Sequence, residues 1–271
     1  MRAGGRSQRY RWGRATSSKG ATGDPRSCHS SLARNDPLPF ALLALTGVTG
    51  LVDAVSFLGL GHVFTANMTG NVVLLAFAVA GTPGLSMARS STSLVAFLVG
   101  AALGGRLGVV MAAASRRRWL LTVAVSEAVL LVAAAIALIG FDIGSATPPE
   151  RLYPVIVLTA LAMGLRNATV RRLAAPDLTT TVLTLTLTGL AADSPVAGGD
   201  NPRIGRRVAS VSLMFTGAAV GALLLRQGLA LPLVVSAVCV LAATVAYADV
   251  PTRPPAAGRH LDERAVQDRA G

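Results

Sequence analysis

Residues 61–71 read GHVFTANMTGN, and the chain on either side is apolar: LPFALLALTGVTGLVDAVSFLGL before it (38–60) and VVLLAFAVAG after it (72–81). How this cluster of Thr65, Asn67, Thr69 and Asn71 is read decides the fold. If its flanks cross a bilayer, the cluster lies at membrane depth. Backbone there must be helical or sheltered by protein, and concentrated hydrogen-bonding groups mark a site.

Composition decides for the membrane. Of 271 residues 52% are hydrophobic and only 14% are charged, with a mean hydropathy of +0.57; a soluble domain is about a quarter charged. The tail 1–37 carries seven arginines and Lys19 against Asp24 and Asp36, and the tail 249–271 carries four arginines against four acids. Both read as disordered tails, and the basic one makes a poor secretory signal, because no apolar stretch follows until Leu38 and that run is long enough to stay in the bilayer. The net charge of +12 does not point to nucleic acid, because the excess sits in that tail and in short loops beside apolar runs, where the positive-inside rule puts it. Cys28 and Cys239 fit neither a disulfide framework nor a metal site, and no cofactor is expected.

Five runs are long enough to cross about 30 Å of hydrocarbon as helices: 38–60, 91–114, 119–140, 208–226 and 229–248. A sixth, 153–172, has the length but contains Arg166 and Asn167. Two more are short and polar, 64–81 and 178–192, the second reading LTTTVLTLTLTGLAA. The expectation is an all-α integral membrane protein with six full transmembrane helices and two short polar helices, either re-entrant or short-spanning. The TLTLT alternation has a strand period, but with no other strand to pair with it is read as helix, its hydroxyls bonding back to the backbone.

The halves resemble each other. LVGAALG (98–104) matches FTGAAVG (215–221) at an offset of 117, and MTGN (68–71) falls against LTLT (183–186) at 115. At 113, Thr46, Asp53 and Ser56 fall on Thr159, Arg166 and Thr169. A GAAxG run is also ordinary small-residue packing, but three matches in one order favour two repeat units, 38–140 and 141–248. Orientation separates the two span counts. Eight spans would leave Arg116–Arg118, Arg171, Arg172 and Arg226 outside. Six spans put eight arginines inside (116–118, 171, 172, 203, 206, 207) and three outside (89, 151, 226), in keeping with positive-inside. Six is favoured, with both termini cytoplasmic. Each unit then has three spans and the two are inverted.

Inverted repeats with paired, polar-interrupted short segments are a transporter plan, with the site where the broken helices meet. Asn67, Thr69 and Asn71 with Thr180, Thr184 and Thr186 are therefore expected to line one cavity for a small polar solute or ion. The same residue types also serve as helix caps and interhelical bonds. Thr46, Thr49, Asp53 and Ser56 form one polar seam on the first helix. Asp53 and Arg166, charged within apolar runs and equivalent at offset 113, are expected to pair at the site.

The runs TGVTGLVDAVSFLGLGHVFTANMTGNVV and RRLAAPDLTTTVLTLTLTGLAAD resemble the YoaK-type family of uncharacterised bacterial inner-membrane proteins, over about 40–248. The resemblance implies a multi-pass protein of the inner, or plasma, membrane and carries no substrate or catalytic residue. An enzyme is not expected: GxSxG, HExxH and usefully spaced carboxylate pairs are absent. A structural or regulatory membrane protein stays open beside the transporter, and the sequence assigns no oligomeric state.

Overall fold

Eight α-helices appear among the described residues of the computed structural model, which are 38–139, 151–173, 183–201 and 203–248. They are α1 (Leu38–Gly59), α2 (Met68–Val79), α3 (Met87–Val110), α4 (Arg116–Ala137), α5 (Leu152–Leu173), α6 (Leu183–Ala192), α7 (Ile204–Leu224) and α8 (Ala230–Ala248), with no strand among them. Six are long and apolar enough to cross a membrane, while α2 and α6 are short. The LTLTLT run is helical. Both tails and the loop 140–150 lie outside the described residues.

Two long helices start earlier than hydropathy alone suggests, because local chemistry outweighs it at helix ends. The Ser86 side chain accepts from the Arg89 N–H and Ser115 from that of Arg118, both at 3.4 Å. These caps satisfy amides that have no intrahelical partner, so the arginines are drawn into the first turns of α3 and α4. Asn67 caps α2 in the same way through Gly70 N–H. Between α1 and α2 the chain turns on Gly61 and His62, both at positive φ (85° and 58°). That conformation is natural for the glycine and uncommon for the histidine.

Packing is set by small residues. α3 lies along α5 and α1 along α7, each pair so close that the backbones touch. A Cβ on Gly100 or Gly104 of α3 would strike the backbone of Leu161 or Leu165, and one on Gly164 of α5 would strike Phe97. In the other pair, Gly50 faces Met214, Gly217 faces Gly47 and Gly221 faces Leu51. Residue numbers rise together along both seams, so the members of each pair are parallel. Such seams hold helices together in lipid, where apolar burial gives no drive. α4 packs on α8 and α5, and α8 also on α1; α2 lies on α3 and α6 on α7.

α1 and α5 are the most enclosed, with 61% of each apolar window buried, and α7 the least, with 11%. Val52, Val55, Leu131, Ile156, Met163 and Leu233 form the centre of the core. Outward, α3 and α7 present Val95, Leu98, Leu103, Phe215 and Leu223. An apolar exterior on apolar helices is the surface a bilayer covers. The hydroxyls of Thr46, Thr49, Thr159, Thr169, Ser236 and Thr244 bond back to carbonyls of their own helices, which hides polar groups inside the bundle.

Candidate functional site

The polar seam of α1 faces protein: Thr46, Thr49, Asp53 and Ser56 are all buried. Asp53 meets the start of α2. Its Oδ1 accepts from Ala66 N–H at 3.0 Å. Asp53 thus ties the loop that leads into α2 to the first helix.

Beside Asp53 lies a cavity of about 110 Å³ bounded by Thr49, Asp53, Ala66, Asn67, Leu183, Thr184 and Met214. The starts of α2 and α6 therefore meet at one hollow against α1 and α7. That volume holds several waters or one small solute. Its polar groups are a carboxylate, two hydroxyls and an amide.

Not every residue of the polar motifs joins the cavity. Asn67 and Thr184 do. Asn71 does not: its Oδ1 accepts from Phe64 N–H at 2.8 Å, while its Nδ2 donates to Phe64 O and, at 3.1 Å, to Ser93 Oγ. Ser93 itself donates to Phe64 O at 2.6 Å. Asn71 thus mimics a paired backbone and pins the loop 60–67 to α2 and α3. Thr186 is buried on α6, Thr69 is exposed on α2, and neither bounds the cavity. Thr180 lies outside the described residues.

The expected Asp53–Arg166 pair does not form. Arg166 is fully enclosed, and its Nη2 makes an ion pair with Glu127 of α4. Its Nη1 donates to Leu45 O and to Thr49 Oγ1, both at 3.1 Å. The physical reason is register. Gly164 meets Phe97 and Ala101 as Gly50 meets Met214 and Ala218, so aligning α1 with α5 by these contacts gives an offset of 114, not the 113 on which the expectation rests. One residue turns a helix by about 100°. Asp53 then corresponds to Asn167, and Arg166 to Val52. Glu127, a lone acid in the apolar run of α4, is the partner of Arg166 instead. Phe64, Ser93 and Met214 carried no signal of their own.

A cavity on the other side of Arg166 is bounded by Leu42, Leu45, Glu127, Thr169 and Tyr247 among others. The starts of α1 and α4 and the ends of α5 and α8 surround it, so those four ends share one face of the bundle. Among the described residues no group of three His, Cys, Asp or Glu could hold a metal.

No solved structure matches the chain. It is 34% identical over 156 residues to the UPF0700 transmembrane protein YoaK of Bacillus subtilis (strain 168), a match that spans 56% of this chain and 64% of that relative, under two thirds of its length. A family model described as "Protein of unknown function (DUF1275)" matches residues 41–246. Since that match runs from the first turn of α1 to the last turn of α8, through both polar motifs and Asp53, Glu127 and Arg166, the chain belongs to the DUF1275 family of membrane proteins.

Proposed function

We propose that the protein is a transporter of a small polar solute or ion, built of two inverted units, with its site in the cavity where α2 and α6 begin. The observation that carries this reading is the convergence of two short helices on one partly open hollow that holds a carboxylate, two hydroxyls and an amide at the flank of an apolar bundle, the arrangement that transporters use. The unit architecture is supported by the packing. Exchanging α1, α2, α3 and α4 for α5, α6, α7 and α8 turns α3 on α5 into α7 on α1, and α4 on α5 into α8 on α1.

Re-entrance is supported in the first unit by contacts at both ends of 60–86. Gly61, just after α1, lies against Arg89 at the start of α3, so the segment enters and leaves on one face. Arginine counts support a cytoplasmic face carrying both termini and Arg116–Arg118 in the inner, or plasma, membrane. A purely structural or regulatory role would need neither the hollow nor the buried charges, each costly at this depth.

The test is reconstitution. A solute screen by thermal shift in detergent, followed by counterflow in proteoliposomes, is expected to find a solute exchanged by the wild type and lost in Thr184→Leu, which fills the hollow. Full exchange by that variant would refute the site, and no exchange with any stabilising solute would refute transport.

A further inference from the structure

Two buried carboxylates lie near one buried arginine that pairs with only one of them, Glu127, and each borders a different cavity. Asp53 borders the hollow at the starts of α2 and α6, and Glu127 borders the cavity at the opposite face of Arg166. Arg166 joins the two walls, its Nη2 on Glu127 and its Nη1 on Thr49, which lines the hollow with Asp53. Its Nε is buried with no partner among the described residues, so the guanidinium has a donor to spare. Two acids and one base leave the cluster one negative charge in excess, in a setting where an uncompensated charge is costly. A single proton removes that excess.

We propose, resting on the transporter reading, that this cluster carries one exchangeable proton and that solute movement is coupled to it. With Arg166 on Glu127, as here, the proton sits on Asp53. A proton from water in the hollow adds to a carboxylate oxygen of Asp53, forming one O–H bond and a neutral cluster. When Arg166 leaves Glu127 for Asp53, the Asp53 O–H bond breaks, its proton passes through water to a carboxylate oxygen of Glu127, and from there it is released to water in the opposite cavity. Arg166 keeps its own proton throughout, and no other bond changes.

The surroundings add few competing charges. From α8, Tyr247 faces the Glu127 cavity, with Arg116 of α4 stacked 5.9 Å from its ring centre. The loop after α1 brings His62, which is exposed, and Arg89 of α3 reaches that loop at Gly61. α6 and α7 contribute Leu183, Thr184 and Met214 to the hollow, none of them ionisable. The charged residues also break the two-unit correspondence, since Asn167 stands opposite Asp53 and Val52 opposite Arg166. One relay is therefore expected per chain.

Infrared difference spectroscopy of the reconstituted full chain, titrated with pH, tests the proton directly. The expected result is one C=O stretch from a buried carboxylic acid in the wild type, lost in Asp53→Asn and also in Glu127→Gln, since either variant leaves one acid for one arginine. Should Asp53→Asn fail to fold, the wild type and Glu127→Gln still decide. No such band at any pH, or its persistence in Glu127→Gln, overturns the assignment. Pyranine-loaded proteoliposomes under an imposed pH gradient, with the potential clamped, supply the second reading. Solute uptake that ignores the gradient overturns the coupling and leaves the transporter standing. A band with no solute moved under any gradient overturns the transporter, and the coupling with it.

Discussion

Glu127→Ala is the perturbation that most directly probes the buried charges. It removes the partner of Nη2 and leaves the Arg166 guanidinium with Leu45 O and Thr49 Oγ1. Arg166 is 2% exposed, so water reaches it only through the neighbouring cavity. An uncompensated buried charge costs about 3–5 kcal/mol. Partial hydration from that cavity puts the expected loss near the lower end, about 3 kcal/mol, or roughly a hundredfold in the folding equilibrium at about 1.4 kcal/mol per tenfold. Glu127→Leu with Arg166→Met removes both charges at similar volume and is expected to recover all but about 1 kcal/mol, because paired buried charges are readily replaced by apolar groups. Reversible SDS titration in mixed micelles, followed by far-UV circular dichroism, measures all three forms. By contrast, Asp53→Asn keeps an oxygen for the Ala66 amide. Additivity in the Glu127–Arg166 cycle, or a loss under about 1 kcal/mol in Glu127→Ala, would show that the pair does not hold the bundle and that this reasoning is wrong.

Other expectations follow from the packing and the charge pattern. Asn71→Ala gives up the three bonds to Phe64 and Ser93 and should cost about 2–3 kcal/mol, at roughly 1 kcal/mol per buried bond; hydrogen exchange is expected to rise in 60–67 first, and unchanged protection there would contradict the pinning role. Gly164→Ala drives a methyl into the Phe97 and Ala101 backbone and should lower the thermal midpoint, whereas Gly105→Ala, with nothing within 4 Å, should be neutral or stabilising by up to about 1 kcal/mol from helix propensity. Equal effects at the two glycines would undo the parallel-seam description. In a background lacking Cys28 and Cys239, Arg117→Cys is expected to react with an impermeant label only from the cytoplasmic side. Labelling from outside alone would reverse the proposed orientation.

What the sequence determined by itself is the material of the fold. Hydropathy is a local property, so six apolar runs of span length announce six long helices, and the two Thr- and Asn-rich stretches announce the short ones whatever the packing. The buried seam Thr46–Thr49–Asp53–Ser56 was legible for the same reason: a 3.6-residue period places those four side chains on one face. Pairing was not legible. Aligning Thr46 and Ser56 with Thr159 and Thr169 rests on residue types that recur throughout such helices, and it misses the packed register by one residue. Only the glycine seams, where Gly50 and Gly164 bring backbones into contact, fix that register in space. They turn Arg166 away from Asp53 and onto Glu127, 39 positions earlier in the chain. Asn71 shows the same limit, since its neighbours in sequence suggest a ligand and its neighbours in space, Phe64 and Ser93, make it a clasp. A side chain's partner depends on the rotation and depth of two packed helices, and those are properties of the bundle rather than of any one segment.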